Sequence, residues 1–255
     1  MISYKGADKN FSLEGQTAII TGGAAGIGYA TAKFFTKKGV NLILADLNPD
    51  VDEAAKKLGV QNIGISGNVC DSAYRERVIR AGVNAFGKID ILINSAGIAA
   101  PEKPESISEE CWNKTIAINL TASFMMSQIF GAYLIENQLP GCIVNITSQT
   151  GVIALDRHAA YCASKGGIIS MSQVLALEWG QYNIRVNCVS PTVMLTELGH
   201  RARDGPAGDA FKKAIPAERF AEPDEIAGAI AFLCSNTAAM ITGHNLLIDG
   251  GYTIK

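Results

Sequence analysis

The chain has 255 residues, 48% hydrophobic and 18% charged, which is enough apolar material for one large α/β domain and excludes a disordered chain. With 22 basic and 24 acidic residues the formal net charge is −2, so no basic excess exists to neutralise phosphates, and neither nucleic acid nor a membrane is expected as a partner. No membrane-length apolar run is expected and residues 1–15 lack a secretory core; six scattered cysteines and three distant histidines predict a cytoplasmic protein with reduced thiols and no metal site.

Residues 1–14 read as a polar N-terminal arm ahead of a single domain over 15–255. A first strand is predicted over 17–21, then a helix over 26–38 that Gly39 closes after Lys37 and Lys38. A second strand follows over 41–45, a weaker third over 62–65, and a helix over 72–86. The fourth strand, 91–93, leads to a long helix over 109–136, and the fifth, 142–146, to a helix over 159–180. The sixth, 185–189, precedes an irregular stretch over about 195–216, mixed in Gly, Pro, Arg and Asp, which reads as a substrate loop. Pro223, Asp224 and Glu225 start the last helix, over 224–235, and 246–248 is the last strand. These strands are apolar rather than cleanly alternating, as in a parallel sheet buried on both faces. The fold class is therefore α/β: a doubly wound parallel sheet of about seven strands with helices on both faces.

The first strand runs into Thr21-Gly22-Gly23-Ala24-Ala25-Gly26-Ile27-Gly28, and the helix starts at once. Glycines there let the backbone turn sharply and let a pyrophosphate reach the helix N-terminus, where unpaired amides and the dipole favour negative charge. A tight turn without a ligand uses the same residues, but the placement after the first strand favours the phosphate reading. The second strand ends at Asp46, about twenty residues on, where a carboxylate accepts hydrogen bonds from the adenosine ribose. No Lys or Arg lies in 16–32 or 40–55, so a 2′-phosphate would meet Asp46 without a local cation. NAD rather than NADP is the expected cofactor.

Tyr161 and Lys165 lie four apart in a helical segment and share a face. A phenol titrating near ~10 is a poor base at neutral pH unless a cation stabilises the phenolate, which Lys165 is placed to do. Tyr29 and Lys33 have the same spacing in the first helix. Tyr161 differs in having Ser148 thirteen residues earlier, at the end of the fifth strand, the edge where parallel sheets carry their sites.

These pieces, with Asn94-Ser95-Ala96-Gly97 after the fourth strand, Asn119, and Asp249-Gly250-Gly251 near the end, resemble the short-chain dehydrogenase/reductase family over about residues 12–252. The resemblance implies a single-domain Rossmann-type fold and a homotetramer. It implies that Tyr161 exchanges a proton with the reacting hydroxyl or carbonyl and that Ser148 fixes the same oxygen. Lys165 would bind the nicotinamide ribose and lower the Tyr161 pKa, and Asn119 would hold a water linking Lys165 to solvent. Cofactor contacts are implied at Gly22, Gly26, Ile27, Gly28, Asp46, Asn68, Val69, Asn94, Ala96, Gly97, Pro191, Val193 and Thr196, besides Tyr161 and Lys165. Asn94 also reads as a residue that stabilises the sheet without touching cofactor. The chain departs from the family pattern at Asn68, where many relatives have Asp, at Ser95, where many have a second Asn, and at Thr192, where Gly often follows the proline.

The substrate pocket is expected from Gln149, Gly151, Val152, His158 and Val193, with Glu197, His200, Arg201 and Arg203 from the loop. Gln149 and His158 are polar residues flanking Ser148 and Tyr161, although His158 alone reads equally as a surface residue capping its helix. The pair, with Pro191-Thr192-Val193 and Thr196, resembles the polyol dehydrogenase and xylulose reductase branch. That implies a small polyol or ketose as substrate, interconverted by hydride transfer with NAD. Two alternatives stand beside it. A 3-oxoacyl-thioester reductase of the same family would want a more apolar mouth or a basic patch for a carrier. A non-catalytic NAD-binding protein would have no reason to keep Ser148, Tyr161 and Lys165 together. No GxSxG turn surrounds Ser148, which argues against a hydrolase.

Overall fold

The computed structural model describes residues 11–194 and 205–254. Most of the N-terminal arm, Thr196, and the loop residues Glu197, His200, Arg201 and Arg203 lie outside the described residues. The strands are β1 (Thr17–Thr21), β2 (Asn41–Asp46), β3 (Ile63–Ser66), β4 (Ile91–Asn94), β5 (Gly141–Ile146), β6 (Ile184–Pro191) and β7 (Asn245–Ile248). The helices are α1 (Gly26–Thr36), α2 (Val51–Leu58), α3 (Ser72–Phe86), α4 (Glu109–Ile116), α5 (Ala122–Glu136), α6 (Ala159–Trp179), α7 (Pro206–Ala214) and α8 (Pro223–Cys234). All seven strands pair in parallel in the order β3-β2-β1-β4-β5-β6-β7.

Successive side chains along a strand point to opposite faces, and here both faces are covered. Ala18, Ile20, Leu42, Leu44, Ile91 and Ile93 pack on one side with Phe35 of α1 and Ile226 and Ile230 of α8. Ile19, Ile43, Leu92 and Ile143 pack on the other with Val78 of α3, Phe130 of α5 and Leu175 of α6. The arm's end joins this core: Leu13 is fully buried, and the Phe11 ring meets Phe232 edge to face at 5.7 Å.

Helices α2 and α7 were not expected from the sequence. The two turns of α2 bury Val51 and Ala55, too few positions for a clear periodic signal. Asp52 and Glu53 in its first turn and Lys56 and Lys57 in its last complement the helix dipole. Helix α7 starts at Pro206 inside the stretch read as irregular. Helix α1 ends at Thr36 rather than 38, because the Lys38 and Gly39 amides turn back to Phe35 and Thr36 carbonyls in a tighter closing turn.

The long helix over 109–136 is continuous but changes register, with a π turn at Ala117–Thr121 between α4 and α5. Residues 115–135 carry no charge, and the run is long and apolar enough to cross a membrane by length and composition, which corrects the expectation that no such stretch exists. Its Met126, Phe130 and Leu134 are buried against the sheet, the packing of a core helix.

The strand order places β2 on one side of β1 and β4 on the other. The chain therefore reverses its direction of travel at the β1/β4 boundary, and a crevice opens beyond the C-terminal ends of these strands.

Candidate active site

At that boundary the turn after β1 lies against the turn after β4. Thr21 Oγ1 accepts from the amides of Ser95 (3.1 Å) and Ala96 (3.2 Å). Gly22 has φ +66°, and a Cβ there would stand 2.9 Å from Ala96 Cα; a Cβ on Gly28 would run into the Gly22 carbonyl. Gly26, at φ +54°, has open space where a side chain would be. Helix α1 begins after Ala25 with no side-chain cap and no acidic residue in its first turn, so its leading amides are left to an outside acceptor. This cradle fits the pyrophosphate of a dinucleotide. Ile27, behind it, packs against the core.

Asp46 closes the cradle from β2. Its Oδ2 accepts from the Ala24 amide (2.9 Å) and its Oδ1 from the Asn48 amide (2.9 Å), so the carboxylate shapes the glycine loop, a role that sequence position alone did not signal. Asn68 is exposed after β3, with Oδ1 accepting from the Cys70 amide (2.9 Å), and the Val69 carbonyl accepts from Arg75 (2.8 Å). The fold also brings a cation to this end. Arg77 donates to the carbonyl of Ser66 (2.6 Å), the register partner of Asp46, and lies 5.3 Å from the Tyr74 ring centroid. Both arginines are tied to backbone carbonyls.

The second group gathers at the ends of β5 and α6. Ser148 caps a single 3₁₀ turn, Gln149–Gly151, its Oγ accepting from the Thr150 amide (3.2 Å), and its hydroxyl is close enough to Tyr161 to favour the phenolate. Lys165 is buried; its Nζ donates to the Ile146 carbonyl (2.8 Å) and stands 5.5 Å from the Tyr161 ring centroid. Asn119 sits on the π turn, a helix irregularity common at functional sites. Its Nδ2 donates to the Ile98 carbonyl (2.9 Å) and to Ser164 Oγ (3.0 Å), and its Oδ1 accepts from the Ile98 amide (2.8 Å). A Cβ on Gly97 would lie 3.2 Å from Asn119 Oδ1 and 3.6 Å from Lys165 Nζ, so these three residues border one small space.

Burial disfavours charge on both members of the Tyr161/Lys165 pair. It raises the Tyr161 phenol, against the lowering effect of the Ser148 hydroxyl, and pulls Lys165 down to about 8. A phenolate and an ammonium brought together would relieve each other. Tyr29 and Lys33 instead line an open groove of about 540 Å³ between α1 and the start of α8, with Glu222, Pro223 and Asp224.

Next to Ser148, Gln149 is buried with its Oε1 lacking a hydrogen-bond partner, as are Thr150 Oγ1 and, at the end of neighbouring β6, Thr192 Oγ1. Buried oxygens without donors are costly, and their concentration here marks a place built for a polar partner. His158 occupies the position before α6 but its side chain does not cap the helix. Its Nδ1 donates to the Asp156 carbonyl (2.6 Å), and its ring meets that of Tyr161 edge to face at 6.0 Å. In the neutral ring this leaves Nε2 as an acceptor. Pro191 ends β6 in the interior, and the Val193 carbonyl accepts from the Ala221 amide (3.4 Å).

The structure turns Asn94 inward. Its Nδ2 donates to Asn145 Oδ1 (2.8 Å), Ser127 Oγ (2.9 Å) and the Ser123 carbonyl (3.3 Å). Asn145 Nδ2 continues to Ser172 Oγ (2.8 Å), which Cys188 Sγ also reaches (3.1 Å). Ser123 Oγ donates to the Asn119 carbonyl (2.7 Å), tying this buried net to the π turn. Sequence reading missed every member but Asn94. The available signals were an asparagine inside an apolar strand and serines four apart on the inner face of a helix.

The family model described as Enoyl-(Acyl carrier protein) reductase matches residues 22–253. The chain belongs to the short-chain dehydrogenase/reductase family. It is 48% identical over 255 residues to the NAD-dependent glycerol dehydrogenase of Listeria innocua, covering 100% of both chains. It is 50% identical over 252 residues to the D-threitol dehydrogenase of Mycolicibacterium smegmatis, covering 97% of this chain and 96% of that one. The crystal structure of gox2181 matches the dehydrogenase/reductase fold described here with a TM-score of 0.92 at 32% identity, covering 96% of this chain and 98% of that one.

Proposed function

We propose that this protein is an NAD-dependent polyol dehydrogenase, which interconverts a secondary alcohol of a small polyol and the corresponding ketose. The observation that carries this reading is the polar lining around the reacting position: the unpaired, buried Gln149 Oε1 on one side and the His158 acceptor nitrogen beside Tyr161 on the other. Adjacent hydroxyls on one substrate would satisfy both, and a ligand without them would leave buried groups unpaired. Full-length relatives named for glycerol and D-threitol support it. The six free cysteines suit a reducing cytoplasm.

When bound, NAD supplies the hydride acceptor at its nicotinamide ring. Around it, Ser148 Oγ hydrogen-bonds the substrate oxygen, and Tyr161 Oη takes the hydroxyl proton in oxidation or returns it in reduction. Lys165, held by the Ile146 carbonyl, stabilises the phenolate, and Asn119 borders the space beside Lys165 through which the proton leaves. Tyr161→Phe keeps the ring and removes the transferable proton. Turnover should fall by about 10²–10⁴-fold with cofactor affinity retained, whereas Tyr29→Phe should leave turnover unchanged. Equal losses in steady-state assays of the two variants would overturn the assignment.

For the cofactor, like charges at Asp46 should give roughly tenfold or greater preference for NAD over NADP in kcat/KM. Asp46→Asn keeps an acceptor for the Ala24 amide while removing the charge, and should narrow that ratio. An unchanged ratio would show that Asp46 does not select the cofactor.

For the substrate, Gln149→Leu and His158→Leu should raise KM for polyols more than for 2-propanol. Wild-type polyol kinetics in both variants would sink that role, and much faster reduction of 3-oxoacyl thioesters than of any ketose would replace the polyol reading altogether. We further propose a homotetramer, since α6 presents Leu177 (83% exposed) and Val174 (51%), and β7 is an edge strand. Sedimentation of a dilute sample as a monomer would contradict it.

A further inference from the structure

Six buried side-chain atoms among the described residues have no hydrogen-bond partner, and three of them, Gln149 Oε1, Thr150 Oγ1 and Thr192 Oγ1, lie at the ends of the neighbouring strands β5 and β6. Gln149 already belongs to the proposed substrate pocket. Thr192 does not, and it places a side chain where the family pattern often has glycine.

The backbone decides where Thr192 stands. The amides of Cys188 and Thr192 both donate toward β7, to the carbonyls of His244 (2.8 Å) and Ile248 (3.1 Å). The strand alternation therefore continues through Thr192, and its side chain shares a face with those of Cys188 and Ser190. That face looks onto α6, because Cys188 Sγ reaches Ser172 Oγ (3.1 Å). Asn145, the register partner of Cys188, donates to the same hydroxyl (2.8 Å), so Ser172 marks one height on the sheet. From that height β6 rises through four residues to Thr192, about 13 Å at ~3.3 Å each. Helix α6 runs the opposite way, and going back along it from Ser172 to Tyr161 covers about 16 Å at ~1.5 Å per residue. Thr192 thus stands level with the first turns of α6, which carry Tyr161.

Gln149 arrives at the same place from β5. The Thr147 amide donates to the Val189 carbonyl (2.8 Å), and the Thr147 and Ser190 hydroxyls bond to each other. Carried two residues further, this pairing sets Gln149 against Thr192. The turn that holds Gln149 is pressed onto α6, since a Cβ on Gly151 would stand 3.1 Å from the Lys165 backbone. The two orphaned groups complement a single alcohol. Gln149 Oε1 only accepts, whereas a threonine hydroxyl also donates, so a hydroxyl between them donates to the first and accepts from the second. Ser148, which holds the reacting oxygen in the proposed mechanism, directly precedes Gln149, so the group read here lies beside the reacting centre.

We infer that Thr192 is a substrate-reading residue: its buried hydroxyl, together with Gln149 Oε1, binds the hydroxyl on the carbon next to the one that reacts, and the substrate class is a vicinal diol. This rests on the polyol reading and sharpens it. Thr192 is held for the task between two sheet contacts, its own amide on Ile248 and the bridge from Met194 to Ala221.

The test compares 2,3-butanediol with 2-butanol, which differ only in the neighbouring hydroxyl, using the intact enzyme and NAD. Thr192→Val removes the hydroxyl and keeps the branched shape. It should lower the ratio of kcat/KM for the diol over the mono-alcohol by about three- to tenfold, the range one hydrogen bond commands. Thr192→Ser should restore the ratio. Adding Gln149→Leu to Thr192→Val should lower it no further than the larger single effect, because both residues hold one hydroxyl. In the ligand-free enzyme Thr192→Val should melt at or above the wild-type temperature, since it removes a buried group that has no partner. A wild-type preference for the diol that survives Thr192→Val would overturn this proposal alone. So would equal losses on both alcohols, a rise in KM for NAD instead, or a fall of several degrees in Tm. A wild type that does not prefer the diol would overturn the polyol reading and this one with it, before any variant is made.

Discussion

Between the turns that follow β1 and β4 there is no room for a methyl group, because a Cβ on Gly22 would stand 2.9 Å from the Ala96 backbone. That close approach, held by the Thr21 hydroxyl on the Ser95 and Ala96 amides, sets the separation of everything on either side. On the β1 side the loop must turn back through Gly26 and Gly28 to start α1, which leaves its leading amides facing the crevice. On the β4 side the next residue, Gly97, brings the chain against Asn119 and Lys165. The proposed cofactor cradle and the proposed proton-transfer residues are thus referred to one shared contact.

Beneath that contact runs a polar net inside an otherwise apolar sandwich. Asn94, Asn145, Ser127, Ser172 and Cys188 join β4, β5 and β6 to α5 and α6, and Ser123 extends the net to Asn119. Apolar residues of similar size would pack there without leaving unmade hydrogen bonds to penalise a shift. Hydrogen bonds, unlike dispersion contacts, fail abruptly when a helix slides by an ångström. The net therefore fixes the height of α5 and α6 against the strands, and with it the place where Asn119 and Lys165 meet. Lys165 shows the cost of that placement, since burial lowers its ammonium to about 8.

All seven strands were legible because each is a short apolar run closed by turn residues, and a doubly wound sheet buries such runs on both faces. The glycine loop, Asp46, Ser148, Tyr161 and Lys165 were legible as residue types at fixed spacings, and the structure brings them to one edge of one sheet. What the sequence hid has a common cause. Helix α2 is two turns long, so Val51 and Ala55 carry no readable period. Helix α7 starts inside a stretch rich in Gly, Pro and charge, and its Phe211 meets Phe220 and Tyr252, which lie farther along the chain. The hold of Asp46 on Ala24, the approach of Arg77 to Ser66 and the inward net of Asn94 are all contacts between distant segments, which local patterns do not encode. The uncharged stretch over 115–135 misled in the opposite direction: composition alone does not separate a helix that covers a sheet from one that could cross a membrane.

The π turn at Ala117–Thr121 gives the α4–α5 run one residue more than a regular helix of the same span would hold. Since each residue of a regular helix advances it by about 100°, the wide turn absorbs the surplus residue and keeps α5 facing the sheet, whereas the same residues wound regularly would turn α5 by about that angle. Loss of one residue from this turn would let the helix become regular with Met126, Phe130 and Leu134 still on the sheet, and would remove the irregularity on which Asn119 sits. Loss of a residue elsewhere, at the tip of a surface loop, carries no such change at the site. The length of this turn, and not only its side chains, therefore belongs to the site.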